Sequence, residues 1–328
     1  MDGFQIYSKF HGKLELQAGL PDRFNERIPG AECAFIAHQH MSMVFQKVKV
    51  GNYDVVLSHY KGMSLNDRFS CEDDQPVIEL NFNLTGKARI DLTNNDWVIY
   101  QPEYHELMIL PYVKDKVHFL TYELENFGIH IPFDQFQKLA KKLTHLKPLQ
   151  KAYVNKTFGF LNKKIPIKTS IKSMALLVQI KERIIAGLND ELTLKLLEQL
   201  IEEALSCGQE VLSDGKQKFS YIDVKGIIDF ELLLQSDLCE PIKVNSLIAK
   251  SHMNPRKLRQ GFKLLYDSSL YDYRLSLVYR YIFEQMKSSN FTNLNEFVAM
   301  SNTKNVTDFA KLFQRYIGID PRILLKKA

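Results

Sequence analysis

Two hydrophobic periodicities divide this chain. Between about residues 34 and 133, apolar and polar positions alternate with the period of two that puts successive side chains on opposite faces of a strand. The clearest run sets Ile78, Leu80, Phe82 and Leu84 against Glu79, Asn81, Asn83 and Thr85 and closes on Gly86. That pattern predicts a strand with one apolar buried face and one polar face. Further strands are expected at residues 88–92, 97–100, 106–110 and 117–124, and Gly51-Asn52 supplies a two-residue hairpin turn. Six or more such strands imply a small antiparallel barrel or sandwich.

Beyond residue 133 the period becomes 3.6. Residues 133–146, 170–188 and 191–207 carry apolar positions at helical spacing, with Leu192, Leu196, Leu200 and Ile201 as the stripe of the last. Gly187-Leu188-Asn189-Asp190 separates the latter two, and Asn189 or Asp190 is the candidate cap. This helical hairpin has two possible partners, the sheet or a second copy of itself. Residues 213–219 are polar and read as a linker.

The last third contains an internal repeat. Val244, Asn245, Leu247, Ile248 and His252 recur 50 residues later as Leu294, Asn295, Phe297, Val298 and Asn302, while Leu258 and Phe262 recur 51 residues later as Phe309 and Phe313. Each unit is a short helix, a turn, and a helix whose two large apolar residues stand four apart on one face. His252 and Asn302 occupy the turns and belong to the few non-glycine types that tolerate positive φ. Asn254-Pro255 gives an N-cap followed by proline at the first helical position, and Asn305 with Asp308 has the spacing of a capping box.

With Leu258 and Phe262 inward, Arg256, Gln260 and Lys263 face outward and Lys257 and Arg259 flank them. The second unit exposes Thr307, Lys311 and Gln314, with Lys304 and Asn305 at its start. Arginine and lysine address guanine, glutamine addresses adenine, and lysine or threonine reaches phosphate. Residues 269–288 read as one connecting helix with Leu270, Tyr273, Leu277 and Tyr281 packed and Arg274, Arg280 and Lys287 as phosphate contacts or surface charge. Its ~30 Å approaches the ~34 Å between successive major-groove faces.

Charge and composition support this picture. From Ser220 onward there are 16 Lys and Arg against 11 Asp and Glu, whereas the rest of the chain is balanced, so the whole net charge of +5 lies in the repeat region. A chain of 328 residues, 45% hydrophobic and 25% charged, has an ordinary globular composition. No apolar run reaches the ~18–20 residues of a membrane span, so a cytoplasmic protein without a membrane partner is expected. Cys33, Cys71, Cys207 and Cys239 form no CxxC pair and read as buried thiols. His38-Gln39-His40 and His105-Glu106 lack a third ligand at metal spacing, and neither a phosphate-binding glycine loop nor a nucleophile elbow is present. Neither a cofactor, a metal nor an enzymatic activity is expected.

The segments HMNPRKLRQGFKLLYDSSLYDY and DFAKLFQRYIGIDP, with Phe313, Gly318 and Pro321, resemble the AraC family of transcription regulators over about 100 C-terminal residues. The resemblance implies a seven-helix DNA-binding domain whose first helix is residues 220–235. IELNFNLTG is also similar to the sensor of the siderophore-responsive PchR-like branch. The family usually has alanine where this chain has Ile248 and Val298, glycine where it has His252, Asn302 and Asp267, and a linker-helix arginine where it has Val278. These departures bear on the strength of DNA binding more than on the fold.

The expected class is therefore α+β. Residues 1–133 form a ligand-sensing β barrel or sandwich, 134–212 a helical dimerisation and coupling region, 213–219 a linker, and 220–328 an all-α double helix-turn-helix domain. Trp97, Tyr100 and His59 are candidates to line a sensor cavity, although core positions fit them better. The expected function is a ligand-responsive regulator that reads successive major grooves of double-stranded DNA, with a small-molecule effector, a homodimer and RNA polymerase as partners. The alternative is a regulator whose degenerate helix-turn-helix domain acts through protein contacts.

Overall fold

The structure is a computed structural model that describes residues 5–22, 24–38, 41–63, 65, 67–92, 97–161, 167–206, 219–236, 238, 244–288, 293–301 and 303–325. The expected linker up to residue 218, Asn302, Cys207, Cys239 and Gln39-His40 lie outside the described residues, as does the side chain of Lys287. The chain forms two compact units, Met1–Tyr221 and Ile222–Ala328.

In the first unit the strands are β1 (Gln5–Ser8), β2 (Gly12–Leu14), β3 (Gln17–Ala18), β4 (Glu32–His38), β5 (Met41–Val50), β6 (Tyr53–Lys61), β7 (Phe69–Asp73), β8 (Val77–Thr85), β9 (Ala88–Asp91), β10 (Trp97–Tyr100), β11 (Tyr104–Leu110), β12 (Val113–Phe119), β13 (Leu124–His130), β14 (Gly159–Phe160) and β15 (Ile167–Lys168). They pair into one sheet in the order β10-β9-β12-β7-β1-β2 and a second in the order β14-β11-β8-β13-β6-β5-β4-β3, with β15 beside β11. Neither order closes on itself. Of the two architectures expected, the sandwich is the one observed. β1 and β2 extend the β-rich region before residue 34, where the alternation is too short to stand out.

Four helices cover the larger sheet: α1 (Phe133–Lys142), α2 (Lys147–Val154), α3 (Ile171–Ile185) and α4 (Glu191–Ser206). Leu80, Phe82, Leu107, Phe127 and Ile129 pack with Phe136, Leu177, Ile180, Leu200 and Ile201 in one core. The hairpin thus packs on the sheet, but α4 buries Leu197, Leu200, Ile201, Ala204 and Leu205 rather than the expected stripe, of which Leu192 is exposed and Leu196 half-buried, and it turns Glu191, Lys195, Glu198 and Glu202 to solvent. Asp190 is the residue that caps α4, accepting from the Thr193 amide at 3.0 Å.

The other face of the same sheet is also covered. Met43, Phe45 and Met108 meet Phe69, Val98 and Phe119 of the smaller sheet in a second core. The middle of the polar half of β8 therefore does not meet solvent: Asn81 and Asn83 are 5% and 4% exposed, while Glu79 and Thr85 are half-buried. Alternation identifies two faces of a strand but not what lies over each.

The second unit contains α5 (Tyr221–Gln235), α6 (Val244–Lys250), α7 (Pro255–Tyr266), α8 (Leu270–Ser288), α9 (Asn295–Met300) and α10 (Val306–Ile317), then a 3-10 turn at Pro321–Leu324. The connecting helix α8 buries Leu270, Leu275, Val278, Tyr279, Ile282 and Met286. This differs from the expected Leu270, Tyr273, Leu277, Tyr281 stripe, of which Tyr273, Leu277 and Tyr281 are only half-buried. The seam rotates because α8 serves both helix-turn-helix units. Tyr273 meets Phe262 edge-on at 5.2 Å, whereas Tyr279 joins Phe309, Phe313 and Phe297.

Candidate nucleic-acid interface and inter-sheet cavity

The two helix-turn-helix units are matched at their ends as well as in their cores. The side-chain oxygen of Asn254 accepts from the amides of Arg256 and Lys257 at 3.0 and 3.1 Å, capping α7. Fifty-one residues on, Asn305 accepts from the Asp308 amide at 2.8 Å and donates back to its carboxylate at 3.0 Å, capping α10. Both helices end on a left-handed residue at the same spacing, Asp267 at φ 49° and Gly318 at φ 91°. In the turns, Ser251 and Ser301 donate to the carbonyls of Ile248 and Val298. The change of offset from 50 to 51 lies in the turn that follows them. His252 takes the left-handed conformation at φ 54°, as Asp267 does, so two positions where the resemblance implies glycine have backbones that glycine favours.

Arg256, Gln260, Lys263, Thr307, Lys311 and Gln314 are exposed, together with Lys304 and Asn305. The flanking pair has intramolecular partners. Lys257 is half-buried and pairs with Asp223 of α5, and exposed Arg259 donates to Asn245 at 3.3 Å. Arg259 and Lys263 also line a surface hollow of about 570 Å³ with Asn245, Ser269 and Tyr271. Arg315 belongs to the exposed face of α10 too, its guanidinium 5.5 Å from the Tyr316 ring. The repeat hid it, because its partner at the same spacing is Leu264. A helical wheel of α10 alone would have found it.

Arg274 is not a surface charge. It is 4% exposed and donates to the carbonyls of Leu234 and Ser236 at 2.6 and 2.5 Å, closing the C-terminal end of α5. Val278 is fully buried beside Tyr279. Arg280 is exposed.

The first unit contains a cavity of about 510 Å³ between the sheets. The larger sheet contributes Ser58 and Tyr60 of β6, Glu79 and Asn81 of β8, and Asn126 of β13; the smaller contributes Cys71 of β7, Tyr100 of β10 and Asp115 of β12. Asn81, Asn126 and Asp115 are 5–6% exposed, and each has a side-chain oxygen with no hydrogen-bond partner. Burial first, then the charge of Glu79, push the Asp115 carboxyl up to about 7, against an opposing backbone hydrogen bond at Lys114. Burial also pushes the Cys71 thiol up to about 12.

Of the three expected lining residues, Tyr100 faces this cavity. Trp97 lies under the Arg89 guanidinium at 5.4 Å. His59 belongs instead to a cluster with Glu26 and Glu125, the one group of three potential metal ligands among the described residues. Lys181 stands between those carboxylates, 2.8 Å from Glu26 and 2.5 Å from Glu125, and occupies the cationic position itself. Burial alone would raise the Glu26 carboxyl, but the hydrogen bond and charge of Lys181 bring it below its ordinary value. His105 is a core residue: one ring nitrogen faces the Thr169 hydroxyl at 3.0 Å and the other donates to the Ala204 carbonyl at 3.2 Å.

The cavity residues were not legible from spacing, because register alone brings β6, β8, β12 and β13 together. The available signal was asparagine at alternate positions of β8, a residue depleted in strands.

No family model and no curated protein matches the chain. Among solved structures, the AraC-like transcriptional activator CuxR is similar at 11% identity over 82% of this chain and 86% of its own, with a TM-score of 0.32. ToxT from Vibrio cholerae O395 is similar at 12% identity over 84% and 99%, TM-score 0.30. Unsaturated fatty acid bound ToxT from Vibrio cholerae strain SCE256 is similar at 12% over 84% and 96%, TM-score 0.29. Likenesses this distant leave the functional reading to the chain's own geometry.

Proposed function

We propose that this chain is a ligand-responsive transcription regulator of the AraC kind. Its two helix-turn-helix units enter successive major grooves of double-stranded DNA, and its inter-sheet cavity takes a small-molecule effector. The observation that carries the reading is the matched pair of second helices. Both are capped by asparagine, both end on a left-handed residue, and both expose donor-rich trios, Arg256, Gln260, Lys263 and Thr307, Lys311, Gln314. Phosphate contacts come from Lys304, Arg259, Lys257 and Asn305, the last three in addition to their intramolecular roles. A homodimer in the cytoplasm that contacts RNA polymerase completes the proposal. The IELNFNLTG segment that resembles siderophore-responsive sensors forms β8 and supplies Glu79 and Asn81 to the cavity.

The test is selection of bound fragments from genomic DNA by the full chain, followed by titration of a recovered fragment from ~50 to ~200 mM salt. Six to ten phosphate contacts would weaken binding by ~10³- to 10⁵-fold over that range. A chain that recovers no fragment above background overturns the reading.

A second reading has its own observation. α5 exposes Ile222, Leu232 and Leu233, which are 73%, 58% and 39% accessible, an apolar surface suited to a protein partner. If the chain recovers no genomic fragment while Leu232→Glu abolishes regulation, the protein-contact reading is favoured.

A further inference from the structure

Resting on the reading of the inter-sheet cavity as an effector site, we propose that the cavity selects a small organic amine cation rather than an anion. The buried polar atoms inside it that lack hydrogen-bond partners are all acceptors: the side-chain oxygens of Asn81, Asn126 and Asp115, and Asp54 Oδ1, which has the Lys49 ammonium beside it. Asn81, Asn126 and Asp115 are each more than nine-tenths buried, so their oxygens face the cavity rather than bulk solvent. The orientation of Asn81 is fixed by its own amide, which donates to Glu79 at 2.9 Å and leaves the oxygen for the ligand. An ammonium group brings three donors and no acceptor, which complements this set; a carboxylate brings acceptors only.

Charge points the same way. The wall carries Asp54, Asp73, Glu79 and Asp115 against Lys47 and His130, and no arginine. Lys47 is neutralised by Glu32 at 2.7 Å, and Asp54 by Lys49 at 3.0 Å, so Glu79, Asp115 and the half-buried Asp73 set the charge of the wall. Two ionised carboxylates in one partly desolvated site repel each other, and a bound cation removes that repulsion. The rings of Tyr60 and Tyr100 offer cation–π surfaces, and Met108, Leu110, Val113 and Val117 accommodate a methylene chain. Gly128 of β13 keeps Glu79 in its place: a Cβ there would stand 3.0 Å from the Glu79 carboxylate.

The experiment is thermal denaturation of the full chain at pH 7.5 and constant ionic strength with putrescine, spermidine or agmatine, and with decanoate and erythritol as anionic and neutral probes. At least one amine is expected to raise Tm by about 2–4 °C at saturation, with no shift from the other two. Asp115→Asn and Glu79→Gln are each expected to weaken the amine's apparent affinity at least tenfold; the exposed-site control Glu198→Gln retains it. Two variants are used so that a folding defect in one leaves the other informative. Absence of a shift with every amine overturns the proposal. So does a shift from decanoate alone, or an amine shift undiminished in both variants. Titration of bound DNA with the same amine separates the two levels: an amine that binds through Asp115 without altering DNA affinity supports the cation site and refutes its role as effector site.

Discussion

Asp115→Asn should make the unliganded protein more stable, and the gain should depend on pH. Asp115 is 6% exposed. Its carboxyl is pushed up to about 7 from 3.8, by burial and then by Glu79. Cys71, its partner across β7 and β12, stays protonated with its thiol at about 12. A folded-state value above the unfolded one means that the native state binds the proton more tightly. At pH below ~4 both states are protonated and the residue costs nothing. Between about 4 and 7 the unfolded carboxyl ionises first, so stability falls as pH rises, and above ~7 the penalty is complete. A difference of about three pH units corresponds to ~4 kcal/mol, which water entering the cavity reduces. The variant should therefore exceed the parent by about 2–4 kcal/mol at pH 8 and match it at pH 4. Urea denaturation across that range measures it. A variant equally or less stable at pH 8, or a gap that does not change with pH, would refute the reasoning.

Three further outcomes follow from the same structure. Burial lowers the pKa of His105 to about 4 from 6.5, against the opposing hydrogen bond to Ala204, so native stability should fall as pH drops from 6.5 towards 4. The loss is up to ~3 kcal/mol, and His105→Gln should flatten the pH dependence of Tm in that window. Arg274→Ala leaves the carbonyls of Leu234 and Ser236 without this donor and should cost ~1–3 kcal/mol in denaturant unfolding; lost DNA affinity at unchanged stability would instead make it a phosphate contact. Asn254→Ala removes the side-chain oxygen that accepts from the Arg256 and Lys257 amides at the start of α7 and should cost ~1 kcal/mol by the same assay, a loss that Asn254→Ser largely restores.

The second unit was the more legible because its information is local. Caps, turns and the spacing of Leu258, Phe262, Phe309 and Phe313 lie within a turn or two of the helices they define. What periodicity left open was the seam of α8, since Tyr273 and Arg274 lie ~100° apart on the wheel and only packing against both units selects between their faces. In the first unit the strands were legible, but the role of their polar positions was not. Asn81 reads as a solvent-facing residue until the second sheet is placed over it. The meeting of Glu79 with Asp115 depends on the two sheets packing face to face, which alternation does not encode.

The most direct test of the central claim is DNA binding by matched variants of the two second helices, measured by fluorescence anisotropy on a selected fragment. The account predicts that Arg256→Ala with Gln260→Ala, and separately Lys311→Ala with Gln314→Ala, each weaken binding by at least tenfold, at ~1–3 kcal/mol per lost base contact. The two losses should fall on bases about one helical turn apart. If the chain carrying all four substitutions binds as tightly and as selectively as the parent, these helices do not read DNA.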